Sequence, residues 1–202
     1  IKDLSSESLE NLIIDTFSLP DDAYRGRSRM AYSAVLGKSR MQEMANLVST
    51  AGLALQSIDI TEMAFRNLGL LAGAEGINLA MLRLRSSEGL VTVQSGADIY
   101  MARRIERGLA NVDDDFMAIT LEIQRSLDYF ESQLGKGYLH RLLLLPLKRD
   151  SERAMQAFSN GLAVNLQRLD LRELFPGQAA AALPEQTQAY CLASVGAALR
   201  QE

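Results

Sequence analysis

The chain reads as a mixed α/β (α+β) protein, and three observations carry that reading. Residues 78–85, 90–94 and 97–105 are three strand-length segments cut apart by Ser86-Ser87-Glu88-Gly89 and Ser95-Gly96, turn chemistry that predicts an antiparallel meander. Beyond it, apolar runs at 140–147 and 164–171 alternate with helical periodicities. That alternation predicts β/α units extending the meander in parallel, with right-handed crossovers. Ahead of it, residues 1–60 carry a strand–strand–helix–strand pattern, a small α+β unit in its own right.

Each element has a local cause. Residues 3–10 read as a short helix and 12–19 as the first strand, ending at the polar turns Pro20-Asp21-Asp22 and Arg25-Gly26-Arg27. The second strand is 30–36. Ser39-Arg40-Met41-Gln42 has capping-box spacing, so a helix is expected to open at Ser39. It places Met41, Met44, Ala45 and Val48 on one face, and Gly52 closes it. A third strand is expected at 53–60, then a helix capped by Thr61 that carries Met63, Phe65, Leu68 and Leu71. Gly73-Ala74-Glu75-Gly76 marks a boundary, so 61–76 is a connecting helix and linker between a unit at 1–60 and a larger one at 77–202.

After the meander, Asp113-Asp114-Asp115 suits the positive end of a helix dipole. Phe116, Ile119, Ile123, Leu127, Phe130 and Leu134 form the apolar stripe of the long helix that follows. Glu122, Arg125 and Asp128, spaced three apart, are expected to pair for a few tenths of a kcal/mol. Gly135-Lys136-Gly137 ends the helix; it lacks the Ser or Thr of a phosphate loop. A helix at 150–160 closes at Gly161, and the last helix spans 184–200.

Composition narrows the function. The 202 residues are 48% apolar and 23% charged, with net charge −4 and a pI near 5.2, ordinary for a globular chain and unlike a basic nucleic-acid binder. Cys191 is the single cysteine, so no intrachain disulfide forms, which fits a reducing cytoplasm. No apolar run approaches the ~20 residues that cross a bilayer. The lone His140 has no partners at metal-ligand spacing, and no metal site is expected. Cys191, in an apolar helix, reads as a structural thiol.

The segment Glu122-Ile123-Gln124-Arg125-Ser126-Leu127-Asp128-Tyr129-Phe130 resembles a helix of the type IV pilus assembly protein PilM family. So do Ala51-Gly52-Leu53 through Ile58-Asp59, Phe65-Arg66-Asn67-Leu68, and the terminal Gly196-Ala197-Ala198-Leu199-Arg200. Within that family the chain is most similar to the MshI type of mannose-sensitive haemagglutinin (MSHA) pilus systems. The resemblance implies an actin-like ATPase (ribonuclease H-like) fold, with 77–202 as its second half and 1–60 as the small inserted subdomain also found in FtsA. The first half is then expected upstream of Ile1, and ATP with magnesium would be held only with its help.

Active relatives hold phosphates on glycine hairpins, because glycine lets backbone amides approach closely. Here the resemblance places Arg83 and Arg85 where an aspartate and a glycine belong. It places Pro146 and Leu147 where a Gly-Gly faces adenosine. These four are degenerate phosphate-loop positions and are not expected to bind ATP; the alternative is that Arg83 and Arg85 hold phosphate directly. No catalytic residue and no cofactor is expected. The implied role is that of a non-enzymatic cytoplasmic scaffold for pilus biogenesis, peripheral to the inner membrane. It would dock there on the cytoplasmic N-terminal peptide of a PilN-type partner. Met41, Met44 and Met63 are candidate partner-binding residues, since methionine surfaces adapt to peptides, although core packing explains the same spacing. Two alternatives stay open: a nucleotide-binding ATPase of the pilus machinery, and a homo-oligomeric structural domain.

Overall fold

The structure, a computed structural model, describes residues 7–23, 29–111, 116–134, 137–177 and 182–201. A 3-10 turn at Leu9–Asn11 leads into β1 (Leu12–Ser18), which pairs antiparallel with β2 (Ala31–Gly37), Phe17 opposite Tyr32 and Ile13 opposite Leu36. α1 (Lys38–Thr50) follows at once, then α2 (Thr61–Leu71). The larger sheet contains β3 (Asn78–Leu84), β4 (Gly89–Ser95), β5 (Asp98–Ile105), β6 (Arg141–Leu144) and β7 (Leu166–Arg168). Between and after these strands lie α3 (Met117–Tyr129), α4 (Ser151–Gly161), α5 (Leu171–Leu174) and α6 (Glu185–Ala198).

The five strands run in the order β5-β4-β3-β6-β7. β3, β4 and β5 are the antiparallel meander; β6 joins β3 in parallel, Leu82 beside Leu144, and β7 joins β6 in parallel. The meander and its parallel extension both follow the sequence pattern. Leu142, Leu143, Leu144 and Leu145 read as an unbroken apolar run because a parallel strand is buried on both faces. Leu142 and Leu144 join Ala80, Leu82 and Leu84 under the stripe of α3 and Phe158 of α4. Leu143 and Leu145 join Leu79 and Met81 under Phe65 and Leu68 of α2 and Leu192 of α6. Where α2 and α6 meet, a Cβ on Gly196 would stand 2.2 Å from the Ala64 carbonyl oxygen.

Several local expectations are corrected. Residues 53–60 form no strand: among the described residues β1 and β2 pair only with each other, and the small sheet has two strands. The capping box at Ser39 does not form. The cap position falls two residues earlier, at Gly37 with no side-chain cap, and the Gln42 amide donates to Asn46 instead. Thr61 is the first residue of α2, not its cap; Ile60 holds the cap position in extended backbone. A 3-10 turn replaces the helix expected at 3–10, as far as those residues are described. β6 and β7 are shorter than the apolar runs that announced them. Residues 171–174 turn into α5 because the Asp170 carboxylate accepts from the Arg172 amide. Glu122 pairs with Arg125 at 2.6 Å as expected, but Asp128 accepts from Gln124 instead.

Gly52 does close α1, at φ +73°, with the Leu53 amide donating back to the Val48 carbonyl. The stripe of α3 is buried as read, and its last turn, Phe130–Leu134, widens into a π-helix that keeps Phe130 and Leu134 in the core. Asp113-Asp114-Asp115 and the first two residues of Gly135-Lys136-Gly137 lie outside the described residues.

Candidate functional site

Two concavities hold the residues singled out above. The first is a cleft of about 510 Å³ where β3 and β6 end at the same edge, walled by α6. Parallel pairing of β3 and β6 puts the ends of both strands and the residues that follow them side by side, so Arg83, Arg85, Pro146 and Lys148 share this cleft with Phe65 and Tyr190. Leu147, the fourth residue of the resemblance, turns its side chain into the core at 2% exposure.

Glu88 serves three guanidinium groups here, at 3.5 Å from Arg83, 3.7 Å from Arg85 and 3.1 Å from Arg104. Arg83 also lies over the Phe65 ring, 5.6 Å from its centroid. Burial lowers the Arg83 pKa, Arg85 adds repulsion, and Glu88 opposes both. Its buried Nε has no hydrogen-bond partner among the described residues. The Lys148 ammonium stands 3.8 Å over the Tyr190 ring centroid, a cation–π contact.

The backbone of the 145–147 turn has little to offer a phosphate. The Leu145 amide donates to Leu82 at 2.9 Å. Pro146 has no N–H to give. The Leu147 amide donates to the Glu185 carboxylate at 3.1 Å, which also accepts from the Ser151 hydroxyl at 2.6 Å. Over the β3–β4 turn, the Leu109 and Ala110 amides donate to the carbonyls of Arg85 and Ser86. That closeness requires Gly108, whose Cβ would meet the Arg85 oxygen at 2.4 Å. Among the described residues no carboxylate lines the cleft. These residues do not fit a magnesium–nucleotide site of the glycine-hairpin kind.

The second concavity is a groove of about 910 Å³ between one face of the β1–β2 sheet, α1, and residues 57–66. Ile13 and Phe17 of β1, Tyr32 of β2 and all three candidate methionines, Met41, Met44 and Met63, line it. Met41, Met44, Ala45 and Val48 are all half-buried, so the predicted stripe is on one face, yet α1 buries no residue fully. Phe17 and Tyr32 pack with ring centroids 5.4 Å apart. The Tyr32 hydroxyl accepts from the Ala102 amide at 3.2 Å, which ties the small sheet to β5. Burial raises the Tyr32 pKa, against the lowering effect of that bond.

The groove's end was not foreseen from spacing. Arg200 reaches Asp59 at 3.1 Å, 141 residues away in the chain. Arg66 donates to Asn67, whose own amide donates to the Gly196 carbonyl at 2.9 Å. Asp59, Arg66, Asn67, Gly196 and Arg200, from three separate motifs of the resemblance, therefore meet at one junction. Their shared order along the chain was the available signal.

His140 pairs with Asn78, donating its amide to the Asn78 carbonyl and accepting the Asn78 amide on Nδ1. Cys191 is half-buried in α6, its Sγ 3.7 Å from the Gln188 carbonyl. Among the described residues no cluster of three or more His, Cys, Asp or Glu is placed to hold a metal. No helix among them is long and apolar enough to cross a membrane.

No family profile matches the chain, and no curated protein matches it. Among solved structures, the chain is similar to one from a PilM–PilN type IV pilus biogenesis complex. The TM-score is 0.62 at 16% identity, over 94% of this chain and 68% of that one. It also aligns with a Bacteroides thetaiotaomicron VPI-5482 protein of actin-like ATPase fold and unknown function, at TM-score 0.47 and 12% identity, over 82% of this chain and 57% of that one. The mixed five-stranded sheet, with helices on both faces, is thus a fold shared with a chain of that PilM–PilN complex.

Proposed function

We propose that this chain belongs to a non-enzymatic scaffold of type IV pilus biogenesis, held at the cytoplasmic face of the inner membrane by a PilN-type partner. The observation that carries the reading is the groove. Three methionines from two helices, Met41, Met44 and Met63, meet in one open concavity beside a two-stranded sheet. It sits in a chain whose fold neighbour comes from a PilM–PilN complex. Flexible thioethers beside aromatic rings suit an apolar peptide whose side chains vary. The occupant proposed is the cytoplasmic N-terminal peptide of the membrane partner, and an MSHA-type system is the proposed setting.

The first cleft supports the non-enzymatic half of the reading. By the resemblance Arg83 stands where a metal-organising carboxylate would be needed, and the amides of Leu145 and Leu147 are already engaged.

Titrating the partner's N-terminal peptide against the full-length protein tests the proposal. Saturable binding is expected, and Met44→Asp should weaken it by roughly tenfold or more, since a buried apolar contact becomes a desolvated charge. Because α1 buries no residue fully, the variant is expected to keep the wild-type melting temperature to within a few degrees. No saturable binding, or binding indifferent to Met44→Asp, would sink it.

A further inference from the structure

The cleft beside β3 and β6 is more than a degenerate version of something else. Four cationic side chains line it, Arg83, Arg85, Lys148 and Arg149, and among the described residues no carboxylate does. The chain as a whole carries net charge −4, so this concentration is local. The neighbouring carboxylates are already shared: Glu88 is divided among three arginines at 3.1 to 3.7 Å, and Asp150 lies 3.6 Å from Arg149 and 3.7 Å from Arg153. Lys148 is held over an aromatic ring. Arg83 is five-sixths buried, at 16% side-chain exposure, with a buried Nε that donates to nothing described. A guanidinium buried with one N–H lacking an acceptor is incompletely compensated, and an added anion would complete it.

We propose that this cleft is a metal-independent binding site for a small, multiply charged oxyanion, bearing phosphate or carboxylate groups on a compact organic body. Arginine supplies forked donors that match both groups. The volume, about 510 Å³, is that of a small-molecule site. Phe65, Tyr190, Leu192 and Ala193 give the organic body an apolar wall. Cations from β3 and from the segment after β6 take over the charge neutralisation that a metal and its carboxylates would otherwise provide. Anion binding here and peptide binding in the methionine groove involve separate residues, so either stands without the other.

Calorimetric titration of the full-length protein with pyrophosphate and with citrate, each in excess EDTA, tests the site. Saturable binding of at least one is expected at physiological ionic strength, and which one binds separates a phosphate from a carboxylate ligand. Lys148→Ala and Arg85→Gln, both at exposed side chains, should each weaken it by about tenfold or more, the scale of one charge-assisted hydrogen bond. Arg125→Gln on α3, away from the cleft, should leave it unchanged. Three results would overturn the proposal: no saturable binding of either anion, binding that requires added magnesium, or an equal loss in Arg125→Gln.

Discussion

The five-stranded sheet and the β1–β2–α1 unit are built from similar amounts of apolar sequence but spend it differently. The large sheet is covered on both faces: Leu82, Leu142 and Ile123 on one side, and Leu68, Leu79 and Leu145 on the other, have no exposed surface. The small unit buries Leu12 and Leu19 and little else, while Ile13 and Val35, which line the groove, stand at 36% and 43% exposure, and Ile14, Leu47 and Leu53 outside it at 40%, 73% and 66%. A region that closes its own core sets the fold. A region that leaves its apolar face open is suited to receive something. The contrast gives each region its own expected response to mutation.

The largest effect is expected from Phe158→Ala. Phe158 is fully buried in α4 and meets the Phe116 ring edge-on at 5.7 Å. Truncating it should cost about 3–5 kcal/mol, read as a chemical-denaturation midpoint shift with unchanged slope. A loss under about 1 kcal/mol would mean that α4 is not fixed on the sheet. Next comes Gly196→Ala. Helix propensity alone would favour alanine by about 1 kcal/mol, yet the new Cβ would meet backbone atoms of Ala64 at 2.2 and 2.7 Å. Backbone cannot rotate away as a side chain can, so overpacking should win, with a net loss of about 1–3 kcal/mol. A stabilised variant would show that α2 and α6 are further apart than the structure has them.

A third test uses pH. The Arg172 guanidinium beside Asp170 holds its carboxyl down at about 2, with the Arg172 amide and Gln188 also donating to it. A carboxyl depressed in the folded state binds protons more weakly there than in the unfolded chain. Its stabilisation is therefore present above the ordinary value of 3.8 and is lost as pH falls toward 2. Asp170→Asn should flatten the acid limb of thermal stability over that window; an unchanged limb would show that the contact contributes nothing.

The same contrast explains what could be read from the sequence. The meander and its parallel extension were legible because buried strands need apolar runs and tight turns need glycine and serine, as at Ser86-Ser87-Glu88-Gly89. The missing strand at 53–60 was not. Its apolar residues Leu53, Leu55, Ile58 and Ile60 suit a strand, but a strand also needs a partner edge, and pairing is a property of the whole fold. The capping box failed for a similar reason, because β2 runs straight into α1 at Gly37 and leaves Ser39 inside the helix. In the cleft, Arg83, Arg85 and Pro146 came together because parallel strands bring their ends and following loops to one edge. The Arg200–Asp59 contact has no local signature at all. The three methionines illustrate the middle case: their spacing was legible, and their meeting in one groove depended on how α1 and α2 are set around the small sheet.

The smallest effect expected is that of Leu47→Ser. Leu47 lies on α1 at 73% exposure and outside the methionine groove. Exposed substitutions usually change stability by no more than about 0.5 kcal/mol, and serine's lower helix propensity accounts for a few tenths of that. The substitution should leave the melting temperature of the full-length protein within about 2 °C of wild type, and leave peptide binding intact. Set beside Met44→Asp on the same helix, it separates the two faces of α1: one turned to the groove, one turned to water. A loss above about 1 kcal/mol in Leu47→Ser would place another part of the full-length protein against the outer face of α1. The small unit would then have a second covered face, and only the groove side would remain open to a partner.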